Sequence, residues 1–449
     1  MRSGAAGKFT RYRITRKSRP QLEGLEERKL LYATTGGVWS QPQRVTFSFV
    51  PDGTSIGGTP SALYSTLNAE YAGWQSIFIQ AAAIWEQVAN VNLVQVADNG
   101  AALGVGSYQQ GDPNMGDIRI SAIPLGSGVL ASTFYPPPIN GSSDGGDMLF
   151  NSNANWTKGT GYDLLTVAVH ELGHALGMGH SAVTTAEMYG YYNAIKPSLT
   201  SDDITGIQSI YSTRQPDAWT NTYHNTAMAS AADITSQIDS NGQIALGGLD
   251  ITAATVANWF KVTVPATTNG TATITMQSTN LSELSPKVQI YNSAGLSIGY
   301  TTAANAYGAT VTYTLTGISA GQFYYVKTGA ANSGATGAGG YGLELNFGTK
   351  TQAPIAPPNT QVANQPDKGG GSANELIGWG PLGLVVNLLD QITIGTISGY
   401  GDDLTVRPKR HSAVPSHHSH HHPVGPAAPA KHTHPEHVHR TRHVHRKHH

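Results

Sequence analysis

The run His170-Glu171-Leu172-Gly173-His174-Ala175-Leu176-Gly177-Met178-Gly179-His180 concentrates most of the reactive chemistry of this chain. Two histidines four residues apart share one face of a helix, about 6 Å apart along its axis, so both imidazoles can reach one metal ion. Glu171 sits beside the first of them, where its carboxylate can hold a water on the fourth metal position. Gly177 suits a left-handed helix exit, which turns the chain back and brings His180 to the same ion. Three neutral nitrogen ligands and one open position make a catalytic zinc site; a structural site would be closed. Chance histidines on a surface helix account for neither the exit glycine nor the third histidine.

His170 to His180 fits the signature H-E-x-x-H-x-x-G-x-x-H, and the chain here resembles the metzincin zinc peptidases. Ser181 after the third histidine and Ala186-Glu187-Met188-Tyr189-Gly190-Tyr191-Tyr192 resemble the matrixin branch. So do Leu199–Tyr211, similar to its C-terminal helix, and Ile77–Val88, similar to its first helix. The resemblance runs from Val45 to Tyr211. It implies a secreted zinc endopeptidase acting on extended protein or peptide substrates. His170, His174 and His180 would bind one catalytic zinc, Glu171 would be the general base, Met188 the Met-turn floor and Tyr192 part of the substrate pocket. Asp202 and Asp203 would anchor the last helix and the Met-turn.

Departures from the family are informative. The second, structural zinc of matrixins uses histidines at positions held here by Ser132 and Leu149, so that ion is expected to be absent. Asn151, Ser152, Asn153 and Ala154 replace an acidic cluster and remove one calcium site. Asp117 and Asp147 match another Ca2+ site, completed by carbonyls near Ser143 and Gly145, but are equally suited to capping turns.

The 449 residues suggest two or three domains, and there is no cysteine. Disulfides are excluded, as is the cysteine latch that keeps many matrixins silent; any latency must come from another segment. Cysteine-free secreted proteins are commoner in bacteria. The net charge of −1 hides an asymmetry. Residues 1–31 hold nine Lys/Arg and three acids, and residues 404–449 hold eight and one, leaving a middle near −14. No apolar run reaches 18 residues, so no transmembrane helix is expected, and nothing suggests nucleic-acid binding. Arg19–Leu31 resembles an L-E-x-L-E-x-R-x-L-L leader of large bacterial surface and secreted proteins; a basic arm with one amphipathic turn is the alternative.

The expected fold is an α+β metzincin catalytic domain, a twisted mixed sheet with an active-site helix and a C-terminal helix, followed by an all-β sandwich. Five regions follow: a basic leader over 1–38, the peptidase domain over 39–214, a β-sandwich over 216–349, a linker with a short apolar segment over 350–403, and a disordered His-rich basic tail over 404–449. Val45–Val50, Val91–Val96 and Asp117–Ser121 read as strands, Trp74–Val88 as a helix, and Asp163 as the cap of the zinc helix. Leu130–Pro136 falls where matrixins place the edge strand that pairs with substrate. The strand patterns at Trp259–Pro265, Val288–Gly295, Gly321–Lys327 and Gly340–Leu345 resemble the bacterial pre-peptidase C-terminal domain. Pro, Gly and Asn between Lys350 and Gly371 read as a linker. Leu382–Ile397 reads as an apolar segment docking on the sandwich.

The stretch from His411 to His449 holds 14 of the 18 histidines and cannot bury a core. Metal capture, pH-dependent adhesion to anionic cell-envelope polymers, and simple solubilisation remain open for it. The rival to the peptidase is an envelope adhesion protein with a degenerate peptidase domain; the intact Glu171 argues against degeneracy, because a binding-only site needs no base.

Overall fold

Strand β1 (Val45–Phe49) alternates apolar and polar residues, yet all five are buried. The polar ones are satisfied internally: Thr46 Oγ1 accepts from the Asp117 N–H (2.9 Å) and Ser48 Oγ donates to Asp98 (2.7 Å). A parallel strand on each side forces this, since such sheets are covered on both faces. The computed structural model describes residues 32–368 except Pro197 and Asn305, and the backbone of Leu376–Trp379. The leader over residues 1–31, the apolar segment 382–397 and the His-rich tail lie outside the described residues.

After β1 come helix α1 (Leu63–Glu70), helix α2 (Gln75–Glu86) and strands β2 (Leu93–Gln95), β3 (Ile118–Ile123), β4 (Ala131–Phe134) and β5 (Met148–Asn151). The active-site helix α3 (Leu164–Ala175) and α4 (Ser201–Tyr211) follow. In the sheet, β2, β1, β3 and β5 run parallel in that spatial order and β4 joins β5 antiparallel. The expected strands and the helix over 74–88 are thus present, slightly shorter at their ends except for β3, which runs two residues further than expected, to Ile123. Helix α1 was not foreseen.

Helix α3 is buried along its length except at Leu165, which explains its nearly all-apolar sequence. Asp163 caps it, accepting from the Thr166 N–H at 2.9 Å. Two indoles hold its back: Trp85 donates to Val169 O and Trp39 to Ala175 O, each at 2.9 Å.

Strands Gln243–Ile251, Gly339–Asn346, Thr271–Gln277 and Thr310–Thr316 form one antiparallel sheet. Ala232–Asp233, Ala257–Thr263, Phe323–Ala330, Pro286–Tyr291 and Ser297–Thr302 form another. Their inward residues, among them Ile274, Leu343, Phe260 and Val326, share one core, as a sandwich requires. Arg214 ties this unit to the first. It forms a bidentate pair with Asp250 (2.8 and 2.7 Å), and its guanidinium also donates to Glu86 O and Val91 O, both at 3.0 Å.

Two boundaries differ from those expected. Tyr32–Val38, assigned above to the leader, packs on the exit of α3: Thr35 N donates to Gly177 O and Gly179 N to Ala33 O (2.9 and 2.8 Å). The described residues beyond Lys350 are not a free linker. Val362–Ala363 pairs with Tyr108–Gln110, Gln365 N donates to Gly141 O and Lys368 N to Pro138 O, both at 2.8 Å. Pro and Asn suppress regular structure there, but backbone hydrogen bonds to the peptidase domain replace it.

Candidate metal centre and active site

The α3 register places His170 and His174 side by side, with ring centroids 4.6 Å apart. The helix then ends. Gly177 has φ +98°, and a Cβ there would collide with Gly37 O, so glycine is required on two grounds. The reversal brings the His180 ring to 4.8 Å from His174 and 5.4 Å from His170. One ring nitrogen from each of the three lies within 4.8 Å of the others, the only such group of His, Asp or Glu among the described residues.

The orientation of the rings fits a metal. Nδ1 of His170 donates to Glu187 O (2.7 Å) and Nδ1 of His174 to Met178 O (2.8 Å), which leaves each Nε2 as a lone-pair donor. Nε2 of His174 and His180 is buried with no hydrogen-bond partner. Burial, reinforced by the neighbouring rings, pushes His170 and His174 well below the usual imidazole range, and burial alone lowers His180 to about 4. All three are therefore neutral at physiological pH, the form that ligates zinc.

Glu171 is fully buried beside them, and burial raises its pKa to about 8. Its Oε2 accepts from Thr133 Oγ1 at 2.5 Å, while Oε1 has no partner. Thr133 lies on β4 and was missed in the sequence. The signal was the alternation of that strand, which puts Thr133 and Tyr135 on the helix side; the Tyr135 ring lies 5.9 Å from that of His174.

Met188 is buried against the helix at Gly173, where any Cβ would overlap its sulfur. Asp203 holds this turn: its carboxylate accepts from Glu187 N (2.9 Å), Met188 N (3.0 Å) and Thr200 N (2.8 Å). Asp202 accepts from Ser181 Oγ at 2.6 Å, so both aspartates are structural, as the sequence suggested. Tyr192 is half-buried; its hydroxyl donates to Gly161 O (2.6 Å) and accepts from Asp163 N (2.9 Å), at the start of α3.

The two aspartates considered for calcium do not form a carboxylate cluster. Asp117 accepts from the amides of Thr46 and Gly111, and Asp147 Oδ1 from Arg119 N at 2.8 Å. Asp147 Oδ2 is buried without a partner, and burial raises the pKa of both groups, Asp117 to about 6. Ser132 and Leu149 face each other across the β4–β5 ladder, and Leu149 packs among Val50, Ile56, Ile123, Leu125 and Phe134.

A three-histidine centre on a helix and its glycine-turned exit, over a Met-turn and beside a mixed sheet, defines a metzincin-type zinc site. Residues 63–212 match the family model described as matrixin. The hatching enzyme of Paracentrotus lividus is 34% identical over 200 residues, covering 43% of this chain and 30% of that protein. Karilysin of Tannerella forsythia is 37% identical over 140 residues (29% and 26%), and human matrix metalloproteinase-27 is 49% identical over 88 (19% and 16%). This part of the chain is a matrixin-like metzincin domain. The chain spans less than a third of the length of these curated relatives.

Proposed function

We propose that the chain is a secreted zinc-dependent endopeptidase that hydrolyses extended polypeptides. The observation that carries this reading is the juxtaposition of three neutral imidazoles with a buried carboxylate that keeps one oxygen unengaged. A zinc ion held by His170, His174 and His180 supplies Lewis-acid polarisation of the scissile carbonyl and an acidified water. Glu171 Oε1 is the atom placed to take the water proton and return it to the leaving amine. Thr133 holds Oε2 and so fixes the side chain. Met188 supports the ligands from below, and Tyr192 forms part of the wall that receives a substrate side chain. No described helix is long and apolar enough to cross a membrane.

The test is cleavage of casein with and without a chelator. Activity should vanish on chelation and return with stoichiometric zinc. Cleavage that persists in chelator, or in Glu171→Ala, would refute the reading.

We also infer that the sandwich contacts an anionic envelope polymer. Trp259 and Tyr291 lie 5.0 Å apart on its outer face, with Lys327 over Trp259 (5.3 Å) and Lys287 over Tyr300 (5.4 Å). Aromatic faces suit sugar rings, and the lysines suit their carboxylates, set in the acidic middle of the chain. Retention on immobilised polygalacturonate should fall with salt and be lost in Lys287→Glu/Lys327→Glu.

A further inference from the structure

Strand β4 is the last strand that the peptidase domain contributes to its sheet, and its outer edge is where an extended substrate would add. That edge is taken. Strand β6 (Leu376–Trp379) pairs with it antiparallel, with Leu376 opposite Phe134, Ile377 opposite Thr133, Gly378 opposite Ser132 and Trp379 opposite Ala131. Ile377 is therefore the backbone partner of the residue whose hydroxyl holds Glu171.

The chain reaches this edge along a built path. Gln277 exchanges two hydrogen bonds with the Ile355 backbone (2.9 and 3.0 Å), so the path starts against the sandwich. It crosses to the peptidase domain at Val362–Ala363, where Asn364 Nδ2 donates to Gly106 O at 2.9 Å. Next to β4, Asp367 accepts from Gly141 N (2.7 Å) and Lys368 N donates to Pro138 O (2.8 Å). From Lys368, eight residues lead to Leu376.

We propose that Leu376–Trp379 is a tethered occupant of the substrate edge, which keeps the enzyme latent until the strand is displaced or the strap is cut. The proposal rests on the endopeptidase reading above. One row of N–H and C=O groups accepts one strand, so β6 and an extended substrate exclude each other. A short tether presents its strand at roughly millimolar effective concentration, enough to suppress a weakly bound peptide about ten-fold. A chain without cysteine has no thiol to place on the zinc, and strand occupancy needs none.

The test uses the full chain with Ile377→Pro/Gly378→Pro. Adjacent strand residues point their N–H groups to opposite sides, so the pair of prolines removes whichever one bonds to β4. A second variant lacking residues 374–381 guards against misfolding by the prolines. The probe is a fluorescein-labelled peptide of residues 374–381, bound to zinc-loaded chains that carry Glu171→Ala and so cannot cut it. Both variants should bind the probe at least ten-fold more tightly than the parent, and without Glu171→Ala should cleave casein with a KM lowered by a similar factor at unchanged kcat. The Phe134 N–H donates to Asp147 O on the β5 side, so the amides on the outer edge are those of Ala131 and Thr133, and these should lose hydrogen-exchange protection in both. Equal probe affinity and equal exchange across the three chains would overturn the proposal while leaving the peptidase reading intact. Tighter probe binding with no casein cleavage in any chain would support edge occupancy and refute the peptidase reading.

Discussion

The hydroxyl of Thr133, on the strand that would receive substrate, donates to Oε2 of Glu171 at 2.5 Å and leaves Oε1 buried with no hydrogen-bond partner. The proposed substrate edge and the proposed general base are thereby joined by one side chain. Thr133→Val keeps the volume and removes the donor. It should lower kcat about ten-fold through loss of a buried hydrogen bond, with zinc content and KM within about two-fold. Thr133→Ser should recover most of the rate. A kcat loss shared equally by Ser and Val would assign the effect to packing.

Removing the carboxylate itself is a different experiment. Glu171→Ala should keep one zinc in the three-histidine site yet lose roughly 10² to 10⁴ in rate, read by metal analysis beside peptide hydrolysis. His174→Ala should lose both, because two imidazoles hold zinc poorly.

Arg214 is nearly sealed off from water, its side chain 3% exposed, and its charge is met by Asp250. Arg214→Ala strands that carboxylate and leaves the carbonyls of Glu86 and Val91 without their donor. A loss of about 3 to 5 kcal/mol in urea unfolding is expected. Loss below about 1 kcal/mol would mean that the sandwich docks without this contact.

Glu283 links the two units through its backbone N–H, which donates to Glu86 Oε2 at 3.1 Å. Burial raises its pKa to about 7 from the ordinary 4.5. The folded state thus holds the proton more tightly than the unfolded chain, and the stability this group confers is complete below about pH 4.5. It is lost as pH rises through about 7, by up to about 3 kcal/mol. Glu283→Gln should match wild type near pH 4.5 and exceed it in stability at pH 8. The opposite order at pH 8 would show that the ionised carboxylate is better satisfied than its burial suggests.

Much of the centre was legible because its information is local. Helical spacing fixes His170 and His174, a left-handed glycine fixes the return of His180, and Asp163 announces the start of the helix. Thr133 was illegible for the converse reason: its partner lies 38 residues away, and only the sheet brings them together. The strap was misjudged because proline and asparagine tell what a segment cannot form, and not what it lies on. Tyr32–Val38 was assigned to the leader; its contacts are to the exit of α3, which no local pattern encodes. The sandwich strands were visible through their alternation, whereas their attachment through Arg214 was not.

Leu149 stands where matrixins resembling this domain carry a metal-binding histidine, and it is wholly buried among aliphatic and aromatic neighbours. At this corner the Leu149 side chain is held by apolar contact alone. Apolar burial needs no supply line, so the packing around Leu149 is of equal strength in metal-starved and metal-rich surroundings. On the endopeptidase reading, the packing of this corner and the loading of the reactive ion at His170, His174 and His180 are separate events.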